Sequence, residues 1–432
     1  MSKSKGKGKK GNDKGKGKKK GKGKGDAEAT AVVKKLLKTY EKNCSLSSSQ
    51  VSPHVRKALK SAITDEKVVT KFIFESMMVE NEGDLPVLFE PLIMTLRQER
   101  YTYIRDLYVW DYPISYENIA NFLVFQSLFL ERPYYKLRLL ELMDCLIEPL
   151  SISRFSRVFC LQDQLTTLNL DYNEFGDEGA KYLSEGLKGN TTMLSLSLCF
   201  CGLGVTSGTY LGYVISTTAV RELYLDGNNL QCEGATELIK LCVDQAEVEA
   251  SQREEEVLRK AEEEALRLQE EKENRYRSGT ELSEGESTDA KSPPGSAKKK
   301  KKKKKGKKKK KKGPPPPPPV GPWVYKLHLA DNGIDNLGEG GSFAPIICMR
   351  LFKKLLMNSM CLEEFDLEDN LIGDVGGREL ADGLTYRKEQ KMPGVKVRVT
   401  HRMCTDTFNM IVKLGSGLKK KKKGRRGKKK KK

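Results

Sequence analysis

The side chains of this chain with intrinsic reactivity are its histidines, cysteines and clustered carboxylates. The histidines number only three, His54, His328 and His401, and lie far apart in sequence. A zinc site would need paired spacings such as C-x-x-C with histidine partners. The nearest approach among the ten cysteines is Cys199-Phe200-Cys201, whose thiols strand alternation would place on one face. Cys145, Cys201 and Cys232 recur at apolar positions and read as small buried residues of a reducing compartment. No metal and no cofactor is expected. Acid–base work would need a carboxylate whose pKa an apolar pocket has displaced. Glu363 and Glu364 are neighbours pointing to opposite sides of a strand, and no such pocket is evident. His328 stands between Lys326 and Asp331 with no Ser or Cys nucleophile implied beside it. Walker, G-x-G-x-x-G, G-x-S-x-G and H-E-x-x-H motifs are missing, and Gly202-Leu203-Gly204 reads as a turn. The expectation is a protein that is not an enzyme.

The chemistry that remains is electrostatic. The net charge of +21 is unevenly placed. Residues 1–25, 298–312 and 419–432 together carry +37, which leaves −16 on everything else. Lysine runs broken only by glycine cannot bury apolar surface and are expected to be disordered. They suit polyanions such as tubulin's acidic tails or RNA. They contain no aromatic residue for base stacking, so any nucleic-acid binding should be nonspecific and salt-dependent. Residues 244–289 hold sixteen acids against seven bases, so neutralisation within the chain is the plainer account of the central lysine tract. Ser283, Ser287 and Ser292 sit in phosphoacceptor-like contexts. Pro314 to Pro319 forms a polyproline II segment, either a stiff spacer or a ligand for an SH3, WW or profilin-type groove.

The elements that would position a binding surface are repeats. Leu165, Leu168, Leu170 and Asn173 fill positions one, four, six and nine of L-x-x-L-x-L-x-x-N, followed by Phe175. Leu168 and Leu170, two apart, point to the same side of a short strand. An Asn or Cys at position nine satisfies backbone groups where the strand turns away. Gly179 then opens a helix with Ala180, Leu183 and Leu187 on one face. The pattern returns at Leu137, Met193, Val220, Val324 and Leu362, with a weak further copy at Ile104.

In this pattern the chain resembles the ribonuclease-inhibitor-like subfamily of leucine-rich repeats, over roughly residues 137–400. The resemblance implies an α/β solenoid, with short parallel strands lining a concave face and helices a convex one. Removing about 77 residues between the third and fourth strands restores the 27-residue spacing. The domain reading is a Lys/Gly tail (1–25), a helical N-terminal region capping the solenoid (26–132), repeats (133–243), an insertion (244–321), repeats with a C-terminal cap (322–417) and a basic tail (418–432). Within 26–132, Thr64-Asp65-Glu66 reads as the cap of a helix through Val69, Phe72 and Phe74. The apolar run Asn121–Leu130 is too short to span a membrane. The insertion opens with a charged helix whose thin stripe, Val257, Ala261, Leu266 and Leu268, suits a solvated single helix held by ion pairs, or a coiled coil. Beyond it, the run 342–360 presents Phe343, Ile347, Leu351 and Leu355 as its packed face. Val395, Val397 and Val399 predict an edge strand whose Lys396 and Arg398 face outward.

The partner-binding candidates follow from the strand positions that face away from the core. They are Tyr172, Arg221, Tyr224, Asp226, Tyr325, His328, Glu363, Glu364, Asp366 and Glu368. Cys199 and Phe200 occupy the matching stretch of another copy. This surface is expected to grade from polar-aromatic to strongly acidic. The functional expectation is an intracellular scaffold or adaptor with a protein partner on the concave face and polyanions on the lysine tracts. Its style is that of cytoskeletal or ciliary axonemal repeat proteins. The alternatives are a nuclear or nucleolar RNA-associated scaffold and a regulator of a basic enzyme.

Overall fold

The computed structural model describes residues 24–76, 84–114, 135–159, 163–280, 319–338 and 340–415. The lysine tracts, Asn121–Leu130, the three serines and Pro314 to Pro318 lie outside the described residues. Among the described residues, nine strands pair in parallel, in sequence order, as one sheet. They are β1 (Lys71–Glu75), β2 (Asp106–Trp110), β3 (Leu139–Met143), β4 (Thr167–Asn169), β5 (Ser195–Ser197), β6 (Glu222–Tyr224), β7 (Lys326–His328), β8 (Glu364–Leu367) and β9 (Lys396–Val399). Helices α1 (Lys24–Leu46), α2 (Pro53–Thr64) and α3 (Glu90–Gln98) belong to the N-terminal part. The repeats carry α4 (Pro149–Phe159), α5 (Gly176–Leu187), α6 (Val205–Thr217), α7 (Gln231–Thr280), α8 (Ala344–Asn358) and α9 (Gly373–Glu389), and α10 (Thr405–Leu414) ends the array. This is the leucine-rich repeat solenoid that the periodicity predicts. Equivalent leucines pair in register, Leu168 with Leu196, Leu196 with Leu223 and Leu223 with Leu327. The last pair joins β6 to β7 directly across the insertion.

The N-terminal region departs from expectation. Phe72 and Phe74 lie on strand β1, not on a helix, paired in parallel with β2. Their spacing of two puts both rings in the core, and Glu66 takes a positive φ that ends any helical path. Region 26–132 is thus helical at α1–α3 but also supplies the first two strands, and α1 packs against α2 and α3 to close that end. The face of α8 is rotated from the expected one. Phe343 and Ile347 are 72% and 59% exposed, while Cys348, Phe352, Leu355 and Leu356 are buried. Their spacings of four, three and one make the better continuous stripe.

Helix α7 crosses position 243–244 without a break. Its first half packs as a repeat helix through Ala235, Leu238, Ile239, Cys242 and Val243. The backbones of α6 and α7 meet closely, since a Cβ on Gly208 would lie 2.1 Å from the Gly234 carbonyl oxygen. The second half leaves the solenoid with Val257, Leu258, Leu266 and Leu268 exposed. Along it, Lys260 pairs with Glu256 (2.6 Å), Arg267 with Glu271 (3.7 Å) and Arg259 with Glu263 (3.9 Å). Three contacts fix its exit. Trp323 Nε1 donates to Glu249 (2.6 Å), Arg253 donates to the Asn358 carbonyl (2.6 Å) and Lys354 pairs with Glu247 (3.0 Å).

Two helices borrow a cap from the repeat before them. The Asp177 carboxylate accepts from the amides of Gly204 (2.8 Å) and Ser207 (3.1 Å) and from the hydroxyls of Thr206 (2.6 Å) and Ser207, at the start of α6. Asp374 does the same for α10 through Cys404 and Thr407. Burial pushes the Asp177 carboxyl up, but these donors outweigh it and hold it below the usual carboxylate range. A folded pKa below the unfolded one gives stability above pH ~4 that is lost as pH falls through the folded pKa. Asp177→Ala should therefore cost about 1 kcal/mol at pH 7. In paired thermal melts the gap from the parent should close below pH ~3. A gap that persists in acid would refute the assignment.

Candidate concave-face and rim site

Position nine builds the turn that ends each strand. Asn173 Oδ1 accepts from the amides of Cys145 (2.9 Å) and Ile147 (3.1 Å), while its Nδ2 donates to the carbonyls of Leu142 and Leu170, each at 2.8 Å. Asn228 and Asn370 repeat this between their own neighbours. Where position nine is Cys, the thiol donates to the preceding repeat, Cys145 to Val109 (3.4 Å) and Cys201 to Leu170 (3.3 Å). Burial pushes the Cys145 thiol up to about 12 and raises that of Cys201 further, which suits structural rather than reactive cysteines.

The residue before it, position eight, is left-handed in every repeat from β2 to β8. Asp111, Asp144, Tyr172, Phe200, Gly227, Asp331 and Asp369 all have φ between 50° and 71°. Their amides carry the ladder one step beyond the strands: Asp144 donates to Asp171, Tyr172 to Cys199, Phe200 to Asp226 and Gly227 to Ala330, at 2.8–3.1 Å. These residues form a rim along the ends of the strands. The left-handed step also breaks alternation at Phe200, so Cys199 stays on the concave side near Ser197 while Cys201 enters the core. The two thiols do not share a face as the spacing suggested. Among the described residues no His, Cys, Asp and Glu cluster has metal-binding geometry.

The C-terminal half of the concave face carries most of the predicted residues. Glu222 pairs with Lys326 (2.9 Å). His328 lies edge-on to Tyr224 (4.7 Å between centroids) and 3.8–3.9 Å from carboxylate oxygens of Asp226, Glu364 and Asp366. Arg221 lies over the Tyr325 ring at 5.1 Å. Burial raises the Asp226 carboxyl even though the Ala330 amide and His328 act against it. The expected strongly acidic stretch is corrected by β9. Parallel register sets Lys396 beside Glu364 and Arg398 beside Asp366; both face away from the core as expected, on the concave side. Lys396 pairs with Glu364, and Arg398 grips Asp366 and reaches Glu368 (2.8 Å). Asp366 is wholly buried, and of the predicted acidic residues from Glu363 to Glu368 Glu363 alone is exposed. The acidic end is an internally neutralised network.

The N-terminal half presents something different. Tyr172 and Phe200 stack with centroids 4.8 Å apart and planes 7° from parallel, yet remain 50% and 42% exposed. The separation is the strand spacing itself, so rings mounted at one position of adjacent repeats must lie face to face. Phe200 also covers Gly227, where a Cβ would fall 2.1 Å from its ring. Tyr172 was legible as a candidate. The pairing of the two rings was not, although a run of Asp and Gly at position eight broken by two aromatics was visible.

Two segments, residues 165–184 and 358–381, match the family model described as Leucine Rich repeat. They cover β4 with the start of α5 and β8 with the start of α9. Together with the nine-stranded parallel sheet they fit a leucine-rich repeat family, a fold whose general role is to bind other proteins. No curated protein matches the chain significantly. No described helix is long and apolar enough to cross a membrane.

Proposed function

We propose that this chain is a non-enzymatic adaptor of the ribonuclease-inhibitor-like kind. On this reading it holds a protein partner on its concave face and rim while its lysine tracts engage an acidic polymer of the cytoskeleton, such as the tubulin tails of an axoneme. The observation that supports it is the sheet's division of labour. The C-terminal polar residues are consumed in a neutralised network, whereas the exposed Tyr172–Phe200 stack lies at the rim. An exposed aromatic pair held by a hydrogen-bonded ladder is the kind of rigid apolar anchor on which interfaces concentrate their energy.

The test is co-sedimentation with microtubules and with total RNA, comparing the full chain with one lacking 1–25, 298–312 and 419–432. The adaptor reading expects the full chain to pellet with microtubules at physiological salt and the tailless chain to lose most of that binding. Removal of tubulin's acidic tails should have the same effect. Preference for RNA, abolished by ribonuclease, would instead support the nuclear scaffold. Binding of neither polymer would sink both polymer readings.

A further inference from the structure

We propose that the rim around Tyr172 and Phe200, with Asp144 and Asp111 beside it, docks an arginine-bearing basic segment of a partner protein. The proposal rests on the adaptor reading and names the chemistry of its second contact.

The first argument is strain. A bulky residue in the left-handed region costs roughly 1–2 kcal/mol, and Asp or Gly avoids most of that. Five of the seven rim positions are Asp or Gly, and the two that are not are adjacent. A stacked pair returns about 1 kcal/mol beyond the area it buries, and here about half of each ring stays exposed. Aromatics are thus poorly suited to these positions, and strain of this kind gathers at binding sites.

The second argument is the electrostatics of the open side. One face of Phe200 is closed over Gly227, so the free ring face of the sandwich is the side of Tyr172 toward Asp144. Asp144 and Asp111 follow on the next two repeats, both exposed and shorter than the ring. Partial burial and the neighbouring Asp144 carboxylate hold the Asp111 carboxyl above its usual range. A cation placed between them relieves that repulsion. Asp171 and Glu174 add further negative charge, which repels a phosphate backbone and disfavours a nucleobase as the stacked group. Guanidinium meets both demands, lying flat on an aromatic face while donating to carboxylates at its edge. The chain's own lysine tracts contain only two arginines, Arg425 and Arg426, so the fitting segment is sought on another protein.

The test is fluorescence anisotropy of labelled hexa-arginine, hexa-lysine and a uridine oligonucleotide. The full chain is compared with Tyr172→Gly/Phe200→Gly and with Asp111→Asn/Asp144→Asn. Glycine suits the left-handed positions, so the first variant should keep its thermal midpoint within a few degrees of the parent. Hexa-arginine should bind the full chain at least fivefold more tightly than hexa-lysine. Each double variant should weaken hexa-arginine about tenfold or more, and the glycine pair should erase the preference for arginine. Equal binding of the two peptides by the full chain, or undiminished binding by the glycine variant, would overturn the proposal. Loss of oligonucleotide binding in the glycine variant would overturn it in favour of base stacking. Because neither microtubules nor total RNA enters this assay, a failed co-sedimentation leaves its outcome readable and assigns the failure to the adaptor reading.

Discussion

Asn173→Ala should cost roughly 4 kcal/mol or more, and Asn332→Ala well under half as much, when urea midpoints of the two variants are compared with the parent. The difference comes from the number of backbone groups each amide serves. Asn173 accepts from two buried amides and donates to two buried carbonyls, with a third contact to the Asp171 carbonyl at 3.2 Å. Alanine strands the Cys145 and Ile147 amides and the Leu142 carbonyl in a turn that water does not reach, while the Leu170 and Asp171 carbonyls keep the Cys201 thiol and the Asp144 amide. Each buried orphan costs about 1–3 kcal/mol. Asn332 donates to the carbonyls of Leu225 (2.8 Å) and Ala330 (3.0 Å), but its buried Oδ1 has no partner among the described residues. Its loss strands neither carbonyl, since Leu225 keeps the Asn228 side-chain amide and Ala330 keeps the Gly227 backbone amide, and it removes one existing orphan. Equal losses, or a larger loss at Asn332, would refute this account of the ladder. The substitution at Asn173 should also weaken hexa-arginine binding, because it loosens the turn that holds Tyr172 in its left-handed conformation.

How far the sequence reads into this fold depends on whether a residue's role is fixed by its own repeat. Apolar residues at positions one, four and six, with Asn or Cys at position nine, recur at 27 or 28 residues from Leu137 to Asn228 and could be aligned without coordinates. Strand β1 escaped because Val69, Phe72 and Phe74 precede the next copy by 35 residues, and that copy precedes its successor by 33. The longer connections hide the period, and alternating phenylalanines then resemble a short helical face. Charge was misjudged for a related reason. Lys396 and Arg398 looked like guards of an edge strand, but parallel register puts them against Glu364 and Asp366. A sum of charge along one strand cannot show cancellation by the next. The candidates Tyr224, Asp226 and His328 do come together, across a gap of more than a hundred residues, because β6 and β7 are neighbours in the sheet. Glu364, Asp366 and Glu368 are drawn into the same network, while Tyr172 stands apart on the N-terminal half with Phe200.

Arg387 is the clearest residue that no periodicity reveals, and replacing it should be nearly as damaging as breaking the asparagine ladder. In the last turn of α9 a basic side chain reads as a solvated charge near a helix end. It is instead buried. Nη1 donates to the carbonyls of Leu356 and Ser359, each at 2.6 Å, and Nη2 to that of Pro393 at 2.7 Å. It thereby ties the end of α8 to the segment after α9. Burial pulls its pKa down to about 10, with the Cys361 thiol acting against that, so it stays charged at neutral pH. Arg387→Met removes the desolvated charge but strands three carbonyls, for a net loss of roughly 3 kcal/mol. Arg387→Lys should do no better, although it keeps the charge. A single ammonium cannot reproduce the planar fork, and its own desolvation remains. The lysine variant should also acquire a pH dependence that the methionine variant lacks. Burial depresses the folded pKa of lysine below its unfolded value near 10, so the unfolded state binds more protons in that window and stability rises with pH. Chemical melts between pH 7 and 10 should show the lysine variant gaining on the methionine variant. A lysine variant that matches the parent, or that is flat across this range, would mean that the charge and not the fork holds this end of the solenoid.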